Sequence, residues 1–157
     1  MFENERYAQA VVAFRRAGQD KKAKMCDAYL LKEKAGVIST TASSARKRAF
    51  VTAAEAFLAC VHSSQWDKER LTCYQAAGDC YSDTGDMKSA GYNYELAEMY
   101  LKAACTYQKG RCVDEMVKVI TRHKSAFTDD LHEKLTMDAR MHYFKVCFDS
   151  WFVSEYL

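Results

Sequence analysis

Leu71-Thr72-Cys73-Tyr74-Gln75-Ala76-Ala77-Gly78-Asp79-Cys80-Tyr81-Ser82-Asp83-Thr84-Gly85-Asp86 is the stretch that decides the fold. Tyr74, Ala77, Gly78 and Tyr81 recur at spacings of three and four, which lines them along one stripe of a helix. Gly85 stops that helix and Asp86 opens another. In the next segment Ala90, Tyr94 and Ala97 repeat the alternation of small and aromatic. Small residues let two antiparallel helices approach closely, and the large ones fill the space between them.

The same half-pattern recurs outward from this stretch, in Ala10-Phe14-Ala17, in Ala53-Phe57-Cys60, and in Ala97, Tyr100, Ala103, Ala104 and Tyr107. The chain contains no proline and only six glycines, too few breakers for a loop-rich β fold. Glycines and caps predict helices over about 3–17, 20–36, 45–61, 67–83, 86–110 (with a kink near 97–99), 113–123 and 128–148. Asp20, Ser43 or Ser44, and Thr128 are the expected capping residues, a helix is expected to start at Asp86, and 37–44 reads as a loop. The tail from Trp151 to Leu157 reads as the start of a further helix, cut off, so the chain is expected to be a piece of a longer protein. Short turns predict antiparallel neighbours. The expected fold is all-α, a solenoid of αα-hairpins forming one irregular domain over 1–157.

Counted from Leu71 as position 1 of a 34-residue unit, Tyr74, Ala77, Gly78 and Tyr81 fall at 4, 7, 8 and 11, Gly85 at 15, and Ala90, Tyr94 and Ala97 at 20, 24 and 27. This resembles the tetratricopeptide (TPR) repeat, whose right-handed stack of helical hairpins presents a concave binding face. Position 32, usually proline in that family, is Lys102. The resemblance extends over about 1–125, with 71–104 its best repeat. The runs Phe57–Cys60, Tyr74–Tyr81, Ala103–Gly110 and Val119–His123 also resemble the helical repeat segment of very large fungal proteins. Those proteins are similar to the TPR and ankyrin repeat-containing protein and carry a UvrD-like superfamily 1 helicase module. An apparent one-residue insertion near Arg111-Cys112-Val113 departs from that pattern. A fainter likeness to the soluble NSF attachment proteins rests on the same Tyr/Ala pattern.

Charge is uneven along the chain. Residues 1–50 hold 11 Lys/Arg against 5 Asp/Glu, and the remainder 12 against 16, which gives the net +2. The basic half suits an acidic partner or a phosphate backbone, or is a solvated helix face. The run Arg46-Lys47-Arg48 with Lys32 and Lys34 lacks interleaved aromatics, which favours the solvated face, and nucleic acid is not the expected partner. No apolar leader opens the chain and no stretch is long enough to span a membrane. The seven cysteines form no Cys-x-x-Cys pair and most fall in apolar stripes, so an intracellular, reducing location, cytoplasmic or nuclear, is expected.

Several residues invite a chemical reading. His132-Glu133 lacks a second histidine at the fourth position after His132, where Thr136 stands, so the zinc-protease motif fails. Cys73/Cys80 and Cys105/Cys112 read as small core residues rather than metal ligands. Cys112, beside Arg111, is the best candidate for a reactive thiol. Neither a phosphate loop nor a nucleophile elbow occurs. The tyrosines at 74, 81, 92, 94, 100 and 107 read as core rather than as base-stacking platforms. No catalytic residue, metal or cofactor is expected. The TPR resemblance places Thr72, Gln75, Asp79, Ser82 and Asp83 on the concave face, a polar and acidic set suited to a polar or basic peptide. The expected function is a non-catalytic protein–protein interaction scaffold. The alternative is an accessory repeat segment beside a helicase motor lying outside this chain. The apolar end at 151–157 predicts self-association.

Overall fold

The computed structural model describes the backbone of residues 2–62 and 67–156, and the side chains of 6–62 and 67–146. The described residues form α-helices joined by short turns, with one 3₁₀ turn and no strand among them. The order is α1 (Phe2–Arg16), α2 (Asp20–Val37), α3 (Ser43–Val61), α4 (Asp67–Thr84), α5 (Met87–Leu96), α6 (Tyr100–Lys109), α7 (Val113–Arg122), the 3₁₀ turn Lys124–Ala126, and α8 (Asp129–Tyr156). Every extensive helix–helix contact joins consecutive helices.

Four of the turns are built alike. In each, one residue takes the left-handed conformation: Gly18 (φ 67°), Gly85 (84°), Glu98 (59°) and Arg111 (57°). The residue after it donates its backbone N–H to the carbonyl five residues back, Gln19 to Phe14, Asp86 to Tyr81, Met99 to Tyr94 and Cys112 to Tyr107, at 2.8–3.1 Å. A second bond, three residues back, completes the Schellman motif that satisfies the last carbonyls of a helix. The acceptor is an aromatic residue every time.

Two elements differ from the expected ones. A single kinked helix over 86–110 does not form. The chain stops at Leu96 and restarts at Tyr100, with Glu98 bearing the left-handed strain. No glycine or proline signals that break, so packing imposes it. The result is a thirteen-residue period through the middle of the chain: Ala77, Ala90, Ala103; Gly78, Gly91, Ala104; Tyr81, Tyr94, Tyr107; and the left-handed positions 85, 98 and 111. Each helix of about ten residues plus a three-residue turn makes one period. The second correction concerns the end, where α8 runs unbroken to Tyr156 instead of ending near 148 and restarting at 151.

Small residues set the spacing between layers. A Cβ built on Gly78 would lie 2.8 Å from the Tyr94 ring, and one on Gly91 2.5 Å from the Tyr107 ring. Each of these tyrosines therefore packs directly against the glycine of the preceding helix, in space that a side chain there would occupy. One cluster of buried residues, including Ala28, Phe50, Ala53, Phe57, Ala77 and Cys80, holds α2, α3 and α4 together. A second, including Tyr94, Ala103, Tyr107, Met116, Ile120 and Leu135, holds α5 to α8, and Tyr81 packs against both. Asp86, expected as the start of a helix, stands at the cap of α5 and accepts from the Ser89 N–H at 3.0 Å. Gln19 and Ala42 stand at the cap positions of α2 and α3 without a side-chain bond, one residue before the aspartate and serine expected there.

Candidate functional site

α4 presents two different faces. At 100° per residue, Thr72, Gln75, Asp79, Ser82 and Asp83 fall on one side, and Tyr74 and Tyr81 on the other. On the first side Gln75 and Asp83 are exposed, and Thr72, Asp79 and Ser82 are half-buried. The Thr72 hydroxyl donates to the Lys68 carbonyl of its own helix.

Asp79 is the most connected member of that set. Its Oδ1 accepts from the Tyr94 hydroxyl at 2.8 Å and from Lys102 Nζ at 2.9 Å, and its Oδ2 from Lys32 Nζ at 3.3 Å. Lys102 also lies over the Tyr94 ring, 4.1 Å from its centroid. One carboxylate thus ties α2, α4, α5 and α6 together. Burial alone pushes the Asp79 carboxyl up, but the Lys102 and Tyr94 hydrogen bonds, with the charges of Lys32 and Lys102, outweigh it and hold the group below its usual range. The same pair acts oppositely on Tyr94, whose phenol is raised by burial and then by its bond to Asp79. Both oxygens of Asp79 already have partners within the fold, which leaves Gln75 and Asp83 as the accessible polar groups of this face.

The opposite face opens into a groove of about 520 Å³ that crosses α3 to α7. Leu58, Val61, Tyr74, Tyr81, Tyr92 and Leu96 make it mainly apolar. Polar groups enter it at few points. Lys88 and Glu115 form an ion pair at 2.6 Å that joins α5 to α7. Asn93 is buried; its Nδ2 donates to the Ser89 carbonyl at 2.8 Å, and its Oδ1 accepts no hydrogen bond among the described residues. Tyr94 and Tyr107 are buried, in keeping with a core role for the tyrosine stripe, whereas Tyr92 is exposed and Tyr74 and Tyr81 are only half-buried. Sequence reasoning missed the groove because it gave every tyrosine one role. The signal available was Tyr92, which departs from the thirteen-residue register of its neighbours.

The basic run is partly structural. Arg46 donates to the Gly36 and Ile38 carbonyls at 3.1 and 2.9 Å, closing the end of α2, and Lys32 is bound to Asp79. Cys112 is not an activated thiol: burial first, and Glu115 next, push its pKa up despite Lys88. Burial likewise raises Cys73 and Cys80 to about 11. Among the described residues no three His, Cys, Asp or Glu side chains converge as a metal site, and no helix is long and apolar enough to cross a membrane. The expected self-association through 151–157 lies outside the residues whose side chains are described. No family model, curated protein or solved structure matches this chain.

Proposed function

We propose that the chain is a non-catalytic protein-interaction scaffold, a solenoid of stacked helices that holds a segment of a partner in the groove beside Tyr92. The observation that carries this reading is the groove itself, an apolar, aromatic-walled channel whose residues come from five successive helices. That the extensive packing runs between consecutive helices supports the solenoid, because such a stack leaves its outer surfaces free for binding. A volume near 500 Å³, mainly apolar with a few polar groups, is the usual character of a recognition pocket. The buried Asn93 oxygen favours an occupant that brings an N–H donor, because an acceptor left unpaired in such a place costs free energy.

A peptide-display selection against the intact chain tests this. Selected peptides should bind saturably and lose about tenfold or more in affinity on Tyr92→Asp, with thermal stability little changed, because aromatic anchors dominate such contacts. Binding that ignores Tyr92→Asp and Leu96→Asp but is abolished by Gln75→Arg moves the site to the other face of α4. Failure to select any saturable binder overturns the peptide-holding reading.

A further inference from the structure

α8 has 28 residues and α7 only ten, so α8 outruns the helix it packs on. Leu131, Leu135 and Ala139 fix the first half of its inner face to the stack. Further along, the same side of α8 meets the turn between α6 and α7. There the Gln108 amide donates to Asp138, and the Tyr143 hydroxyl donates to Asp114. Between α8 and that turn lies a cleft of about 500 Å³, separate from the groove beside Tyr92.

The walls of this cleft combine apolar surface with positive charge. Val113 and Met116 of α7 and Met141 and Val146 of α8 supply the apolar part. Arg111 from the turn and Lys145 from α8 supply the charge. Both are exposed, and neither forms an ion pair among the described residues. The acid in the lining, Asp138, is already engaged by Gln108. His142 is half-buried on the side of α8 that Asp138 and Lys145 share, and its imidazole can donate a hydrogen bond. Arg111 holds its place at a backbone cost. It is left-handed, φ 57°, where Gly18 and Gly85 occupy the same position in two of the other turns. Such strain is tolerated where the side chain is put to use.

We propose that this cleft binds an alkyl carboxylate, a free medium-chain fatty acid. Arg111 and Lys145 hold the head group, with an N–H from His142, and the chain lies against Val113, Met116, Met141 and Val146. The charge matches: two cations against one acid, with His142 neutral, leave +1, which a single carboxylate balances. The volume falls in the range of small-molecule sites. From Asp138 to Val146 the cleft follows α8 for about 12 Å, room for an extended chain of about eight to ten carbons.

Isothermal titration calorimetry of the intact chain with octanoate, acetate and 1-octanol reads head and chain separately. Octanoate should bind with a Kd of roughly 0.1–1 mM, the strength that about ten heavy atoms allow. Acetate and 1-octanol should each bind at least about tenfold more weakly, and decanoate about tenfold more tightly, because it buries two more methylenes. Arg111→Gly should weaken octanoate about tenfold, and Lys145→Gln about threefold, through loss of a charged partner. Arg111→Gly should melt no lower than the wild type, because glycine suits the left-handed turn. Tyr92→Asp, in the separate groove, should leave octanoate binding unchanged. Octanoate that does not bind, or binds no more tightly than 1-octanol, overturns the proposal. Binding that survives Arg111→Gly unchanged also overturns it, as does binding lost with Tyr92→Asp, which would place the ligand in the groove.

Discussion

Gly78 and Gly91 each receive a tyrosine ring from the following helix at a distance that no side chain would permit. Gly91→Ala is therefore expected to destabilise the fold by about 1–3 kcal/mol through overpacking against Tyr107. Gly36, also within a helix, has nothing within 4 Å of a built Cβ, and Gly36→Ala should stabilise by about 0.5–1 kcal/mol through helix propensity alone. Urea unfolding of the two variants separates the roles. Asp79 gives a prediction in pH. Its carboxyl is held below its unfolded value, so the stability it adds is present above about pH 4 and is lost as pH falls through the depressed pKa. Asp79→Asn should cost about 1–3 kcal/mol near neutrality and flatten the loss of stability on acidification. A variant that keeps the wild-type acid dependence would assign that dependence to other carboxylates. The polar character of Asp79 was legible from its place on α4. Its partners were not, because Lys32 and Lys102 lie 47 and 23 residues away and only the folding of three other helices brings them to it.

At the scale of the element, helices α1 to α4 were legible because local chemistry agrees with packing: Gly18 and Gly85 supply the left-handed residues that end α1 and α4. At 97–99 a kink was legible but the full break was not, because Ala97-Glu98-Met99 carries no breaker. Tertiary contact decides there: seating Tyr94 on Gly78 and Tyr107 on Gly91 requires two short helices in place of one long one. A non-glycine residue in the left-handed region costs roughly 1 kcal/mol, so Glu98→Gly is expected to raise stability by about that amount. Thermal unfolding checks the sign. A loss of stability would mean that the Glu98 side chain contributes more than its backbone costs. The thirteen-residue period was visible in the positions of Tyr81, Tyr94 and Tyr107, but a frame of 34 residues conceals it.

For the whole molecule, helix packs on consecutive helix, and the groove beside Tyr92 and the outer stripe of α8 are among the apolar surfaces left exposed by the described residues. The all-helical class was legible from composition and periodicity. The groove was not, because it is formed by residues of five helices whose convergence no local pattern encodes. The claim that this stack serves to hold a partner is tested most directly by site-specific photocrosslinking in the cells that make the protein. The photoreactive residue p-benzoylphenylalanine would replace either Tyr92, in the groove, or Gln75, on the opposite face of α4. The account predicts a discrete crosslink to a second protein from position 92 and none from position 75. A crosslink from 75 alone, or none from either position, would contradict it.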